Sequence, residues 1–296
     1  MNVTISIKGI IKLRVLLVFF IIILLQPNAS GAGQLRSENQ LACLLDSFFL
    51  VRPPGFFQLS RKEISKNTAA IIFSVENAGN IKTGDNFIVI TKSSEIVKGT
   101  LNKIINPCPS PMNTDDAVCG ELLLGKEIDW SKNSYDDAST ASLLAIKGKT
   151  LSQDVVGSIK PLSTDAIKTY GPILNKYTKD YNYSYTEAVR ILPPHSNVEY
   201  DFISLSYFNT IEYKTAGDKA IKYTSFLFRK DINKNILLLH DNKLQMILAV
   251  TDVNNDGIYE VLVYTSPDIY EGTYEVRLFN GTKFVGNSRE LYSWID

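Results

Sequence analysis

Ile247-Leu-Ala-Val-Thr-Asp-Val-Asn-Asn-Asp-Gly-Ile-Tyr-Glu-Val-Leu-Val-Tyr264 is the stretch on which the reading of this chain turns. Two apolar runs of β-forming residues flank a short loop with acid or amide side chains at alternate positions. Counted from Asp252, the third position is Asn254, the fifth Asp256, the sixth Gly257 and the ninth Glu260. A hard cation such as Ca²⁺ needs about six to eight oxygens at ~2.3–2.6 Å. Alternate side chains of a curled loop turn inward, so Asp252, Asn254 and Asp256 can meet on one ion. Gly257 permits a positive-φ bend, the Ile258 carbonyl can add an oxygen, and Glu260 closes the shell. A second reading stays open. Asn254 to Gly257 is also a plain hairpin turn, since Asn, Asp and Gly tolerate left-handed backbone. Turn chemistry alone asks for neither Asp252 nor Glu260. On either reading the expected part of the loop is structural, holding the hairpin in register.

The helix-loop-helix calcium motif requires a bidentate Glu at the twelfth position. Here that position is Val263, inside an apolar run, so the flanks are expected to be strands. The arrangement resembles the FG-GAP or VCBS-type repeat of integrin-like propeller blades and of many secreted bacterial proteins. The resemblance continues through Tyr259-Glu-Val-Leu-Val, Tyr270-Glu-Gly, Tyr274-Glu-Val-Arg-Leu-Phe and Asn280-Gly, over residues 244–285. It implies a structural Ca²⁺ held by the loop and a bacterial secreted protein around it. Two departures matter. Asn254 stands where Asp is usual, which removes one charge, and no second copy of the loop appears, although a propeller needs several blades.

Around this hairpin the β signal is continuous: Val198–Phe208, Ala220–Arg229, Ile236–His240 and Tyr274–Phe279 all read as strands joined by short polar turns, hence antiparallel. Towards the N-terminus, Ala69–Val75, Phe87–Thr91 and Glu95–Ile105 suggest a small sheet or barrel. Ala141–Lys147, after the polar stretch 131–140, is a separate strand candidate. Ser163-Thr-Asp-Ala-Ile-Lys-Thr-Tyr170 has a capped start and helical spacing, and Pro172 interrupts it. The run Tyr177, Tyr181, Tyr183 and Tyr185 fits both half-buried packing and a tyrosine-lined surface for glycans or peptides. The predicted fold class is therefore α+β, mostly β. It comprises a short-stranded N-terminal β region over 33–130, a linker and helical connector over 131–194, and a C-terminal antiparallel β-sheet or sandwich over 195–296.

Residues 1–32 read as a signal peptide: Lys8, Lys12 and Arg14 precede the apolar run Val15–Leu25, and Pro27 and small residues follow. A retained membrane anchor is the alternative, although eleven residues are short for a span. The expected address is secreted or periplasmic. The whole chain carries 31 basic and 31 acidic residues. Without those three cations 28 basic residues face 31 acidic ones, a net charge of −3, which offers nucleic acid no basic surplus. Of the three cysteines, Cys108 and Cys119 can close the proline-rich loop between them in an oxidising compartment. Cys43 reads as a buried small hydrophobe, and its pairing with either of the other two cysteines stays open.

Catalytic signals are sparse. His195 and His240 are isolated, and there is no Gly-x-Ser-x-Gly elbow, phosphate loop or His-Glu-x-x-His pair. Glu187, Glu199, Asp201 and Glu212 could serve as paired carboxylates, yet their spacing does not single them out. The expected function is that of a secreted calcium-binding protein of binding or scaffolding type. Its partner would be an envelope or extracellular protein or a glycan. A secreted hydrolase acting on glycans or the cell wall is the alternative.

Overall fold

Whether a β-strand has one face or two to bury is written in its sequence: a half-buried strand alternates, and a strand covered on both faces is apolar throughout. Both kinds occur here, and they sort into three sheets. The computed structural model describes residues 44–54, 67–74, 78–106, 108, 117–133, 141–148, 150–178, 181–208, 213–214, 216–217, 221–231, 234–267 and 271–295. All of these belong to one unit, Ser37–Asp296.

Six strands close a barrel in the order β1-β2-β5-β4-β3-β6. They are β1 (Phe48–Arg52), β2 (Thr68–Ser74), β3 (Asn86–Ile90), β4 (Ile96–Ile105), β5 (Ala117–Leu124) and β6 (Leu143–Lys147). Phe49, Val51, Ile71, Phe73, Phe87 and Val89 pack together as one cluster. Phe49 packs edge-to-face on Phe73 and on Phe87, both at 5.6 Å between ring centres. Their sequence neighbours Phe48, Leu50, Ile72, Ile88, Leu144 and Ile146 point the other way and join a second core. That is why β1, β2, β3 and β6 read as unbroken apolar runs. By contrast β4 alternates buried and exposed residues over its first half. Gly120 of β5 is required by space, because a Cβ there would lie 2.8 Å from the Lys103 carbonyl oxygen.

The second core is shared with a four-stranded antiparallel sheet in the order β12-β13-β14-β15. Its strands are β12 (Leu244–Thr251), β13 (Tyr259–Ser266), β14 (Glu271–Phe279) and β15 (Phe284–Ile295). Leu248, Leu262, Val276 and Leu278 face the barrel. Ile247, Val250, Val261 and Val263 belong instead to a third cluster with Val189, Ile191 and Phe202. These last residues come from a five-stranded sheet in the order β11-β10-β9-β8-β7. It is built from β7 (Ser158–Pro161), β8 (Asn182–Leu192), β9 (Tyr200–Phe208), β10 (Lys222–Lys230) and β11 (Asn235–Asp241). The four-stranded sheet is thus the middle layer, covered on both faces, and the hairpin β12–β13 runs through the centre of the molecule. On the outer face of the five-stranded sheet, Tyr170 and Leu174 pack on Ile203, Leu205, Phe226 and Phe228.

The α+β expectation is corrected: the architecture is all-β, and residues 131–194 form no helical connector. That segment supplies β6 to the barrel and β7 and β8 to the five-stranded sheet. Among its described residues the α-helices are the short α1 (Thr164–Lys168) and α2 (Gly171–Tyr177). The Ser163 hydroxyl does accept from the Ala166 N–H at 3.2 Å, so the cap was real. Gly171-Pro172 then starts a new short helix, and the tyrosine-rich run after it extends into β8. A cap signals where a helix begins and says nothing of its length. The strand β15 was also not foreseen, because Gly286 and polar residues break its apolar pattern. The signal-like segment and Cys43 lie outside the described residues, and no described helix is long and apolar enough to cross a membrane.

Candidate functional site: the hairpin loop and the buried carboxylates

The β12–β13 ladder ends with Thr251 opposite Glu260, and the chain between them curls tightly. Asn255 and Gly257 take positive φ values of 56° and 78°. Asp252, 1 % exposed, organises the curl. Its Oδ1 accepts from the Asp256 N–H at 3.0 Å and its Oδ2 from the Gly257 N–H at 2.9 Å. Asp256 Oδ1 in turn accepts from the Ile258 N–H at 2.9 Å, and the Asn254 amide donates to Asp256 Oδ2 at 3.3 Å. Glu260 is fully buried and turned to the root of the loop, where Oε2 accepts from the Val253 N–H at 3.0 Å and the Thr251 hydroxyl at 3.3 Å.

The five expected donors are therefore divided. Asp252, Asn254 and Asp256 gather through the loop's own hydrogen bonds, whereas Glu260 caps the backbone beneath them. Among the described residues no group of three or more His, Cys, Asp or Glu is arranged to hold a metal ion. The chemistry of the first three still suits a hard cation, since a carboxylate oxygen that accepts one N–H keeps a second lone pair. The loop's root is also tied to the chain leaving the barrel. The Asp252 N–H donates to the Val155 carbonyl at 2.9 Å and the Gly157 N–H to the Val250 carbonyl at 2.8 Å, with Val156 bridging Thr251.

The remaining carboxylates with candidate roles are held inside the fold. Glu187 is 5 % exposed, and its Oε2 accepts from the Ile247 N–H of β12 at 2.9 Å. Lys92, on the turn between β3 and β4, lies close enough to feel that charge. Burial lowers the Lys92 pKa, and Glu187 partly opposes the shift. Asp201 is 1 % exposed and takes Arg190 Nε at 2.8 Å, Arg190 Nη2 at 3.1 Å and the Tyr170 hydroxyl at 2.7 Å. Burial and that bond push the Tyr170 phenol well above its usual range. Glu199 binds Lys230 at 3.0 Å and Arg190 at 3.4 Å. Glu187 and Glu199 thus have separate partners, and Glu212 lies outside the described residues. His240 bonds Thr224 at 3.0 Å and stacks on Phe226, while burial lowers its pKa. Cys108 and Cys119 stand at disulfide distance with Cα atoms 5.2 Å apart, joining the end of β4 to β5.

One function escaped the residue pattern: the sealing of the β12 edge. Its N–H groups point at the five-stranded sheet. The Gln245 N–H donates to Ser225 Oγ at 3.0 Å, Ser225 and Ser204 share a bond of 2.8 Å, and Glu187 takes the Ile247 N–H. A signal did exist, because Glu187 shares the strand phase of buried Val189 and Ile191. Ile191, Tyr200, Phe202, Ile247, Val261 and Phe279 help line an apolar cavity between the same sheets. About 20 Å³ of it is open to the centre of a water molecule, room for roughly one water. It reads as loose packing rather than a ligand site. Comparison with known proteins adds no relative: no family model matches the chain, and no curated protein or solved structure is significantly similar to it.

Proposed function

We propose that this chain is a secreted or periplasmic binding or scaffolding protein whose central hairpin is stiffened by one Ca²⁺. The reading rests chiefly on Asp252. By holding two loop N–H groups it draws Asp256 and Asn254 together, as a single hard cation requires. Asp252, Asn254 and Asp256 would hold the ion, and the Ile258 carbonyl and water would complete its shell. The likeness of residues 244–285 to FG-GAP or VCBS-type repeats supports the same reading. So do the signal-like N-terminus and a cysteine pair suited to an oxidising compartment. The hydrolase alternative has less behind it, since Glu187 and Glu199 are engaged in separate internal bonds.

Calorimetric titration of the chain lacking residues 1–32 tests this. Ca²⁺ at about 100 times Kd should add about 2.7 kcal/mol of stability and raise Tm by several degrees. Asp256→Ala should abolish both effects while the variant still folds. Absence of heat and of any Tm shift with the parent chain would leave the loop a hairpin clip only.

A further inference from the structure

Residues 151–157 lead from the barrel into β7 and run along the root of the hairpin loop. Three successive residues of this strap pair with three at the end of β12. The Asp252 N–H holds the Val155 carbonyl at 2.9 Å, Val156 bridges Thr251, and the Gly157 N–H holds the Val250 carbonyl at 2.8 Å. β12 stands at the end of its sheet, so the strap covers the last part of an edge that Ser225 and Glu187 seal further along. The same strap grips the barrel. The Ser94 hydroxyl, on the turn between β3 and β4, donates to the Gly157 carbonyl at 2.5 Å, and the Gln153 side-chain amide donates to the Ser94 carbonyl. Ser94 is held at φ 65°, a left-handed conformation that costs a non-glycine residue energy. Gly157 is confined by the five-stranded sheet. A Cβ there would lie 2.8 Å from the Leu192 carbonyl oxygen and 3.2 Å from the Pro193 Cα. Barrel, β12 and the end of β8 therefore meet at one glycine.

Burial contributes little to holding the strap. Ser152, Gln153 and Asp154 are exposed, Leu151, Val155 and Val156 half-buried, and Gly157 buried. A segment with few buried apolar contacts opens locally, at far less than the cost of global unfolding. Its attachment to β12 begins at Asp252, whose carboxylate also draws the loop together. An ion on Asp252, Asn254 and Asp256 would fix the Asp252 backbone, and with it the N–H that holds Val155. We infer that residues 151–157 are a calcium-tightened strap. Occupancy of the hairpin loop locks them on β12, and Ser94 carries the constraint into the β3–β4 turn of the barrel. This rests on the calcium reading of the same loop. Such coupling is mutual: a strap pushed off β12 weakens ion binding by the factor by which the ion tightens the strap.

Amide hydrogen exchange of the chain lacking residues 1–32, in Ca²⁺ and in EDTA, tests the strap beside calorimetric Ca²⁺ titration. Ca²⁺ should slow exchange about tenfold in residues 155–157 and in the turn 91–95. The turn 82–85, at the other end of β3, should exchange equally in both. Ser94→Ala should keep the Ca²⁺ heat and the slowing at 155–157 but lose most of the slowing at 91–95. Gly157→Ala, which crowds the Leu192 carbonyl, should weaken Ca²⁺ binding about fivefold or more, with native exchange at 82–85 showing that the variant folds. If it does not fold, Ser94→Ala decides. Ca²⁺ heat with unchanged exchange at 155–157 would overturn the strap and leave the calcium reading standing. Slowing at 155–157 without slowing at 91–95, or full slowing at 91–95 in Ser94→Ala, would overturn the link through Ser94. Undiminished Ca²⁺ affinity in folded Gly157→Ala would overturn the coupling. Absence of Ca²⁺ heat in the parent chain would remove the calcium reading and the strap with it.

Discussion

In the barrel every strand has a hydrogen-bonded neighbour on both sides, and its described buried residues include no carboxylate. In the two open sheets, Glu187, Asp201, Asp252 and Glu260 are all buried, and each accepts from backbone N–H groups or from Arg190. Closure removes edges, whereas an open sheet leaves a row of N–H and C=O groups that something must satisfy. At the β12 edge and in the hairpin loop, this protein does so with side chains. Buried acids here are first of all partners for backbone and guanidinium.

The contrast can be tested from its strongest consequence downward. Phe73→Ala, which empties the aromatic centre of the barrel, should cost about 3–5 kcal/mol in urea unfolding. Asp201→Ala should match it at about 3–5 kcal/mol, because Arg190 and Tyr170 lose their buried partner. A cost under about 1 kcal/mol would mean that the open sheets do not depend on their acids. Reducing the Cys108–Cys119 pair should remove about 2–3 kcal/mol for so short a loop, read as a lower Tm in dithiothreitol. Glu187→Ala should cost about 1–3 kcal/mol by orphaning the Ile247 N–H, and Glu187→Gln should recover much of it. Equal losses in the two variants would shift the weight from that hydrogen bond to the charge near Lys92.

The smallest effect concerns pH. Burial pushes the Glu275 carboxyl up, but bonds from Arg277, Ser288 and Thr265 and the Arg277 charge outweigh it, leaving the pKa below its ordinary 4.5. Its contribution is then complete above pH 4.5 and fades as pH falls through the lowered value. Glu275→Gln should flatten the acid limb of a Tm–pH curve by an amount worth under about 1 kcal/mol. An unchanged acid limb would remove Glu275 from the account.

Most strands were legible, because apolar runs and alternation are local properties. The hairpin showed itself as two β-type apolar runs about the acidic loop, and the barrel in the crowded short strands before residue 106. The loop chemistry of Asp252 to Glu260 was legible as a set of residue types. Its geometry was not, since Glu260 suits a calcium ligand and a backbone cap equally well in sequence. The helical connector failed for a related reason: Ser163 caps a helix, yet only packing against β9 and β10 decides how much helix follows.

The amino-acid sequence by itself determined most of the segments that form strands and where a tight acidic turn must fall. These follow from side-chain period and backbone freedom. The tertiary structure alone decided that the four-stranded sheet lies between the barrel and the five-stranded sheet. It also sent Glu187 to seal β12 and grouped the tyrosines of β8 with Tyr207 and Lys222. Those outcomes depend on which faces and edges meet across long separations, and no local pattern encodes that meeting.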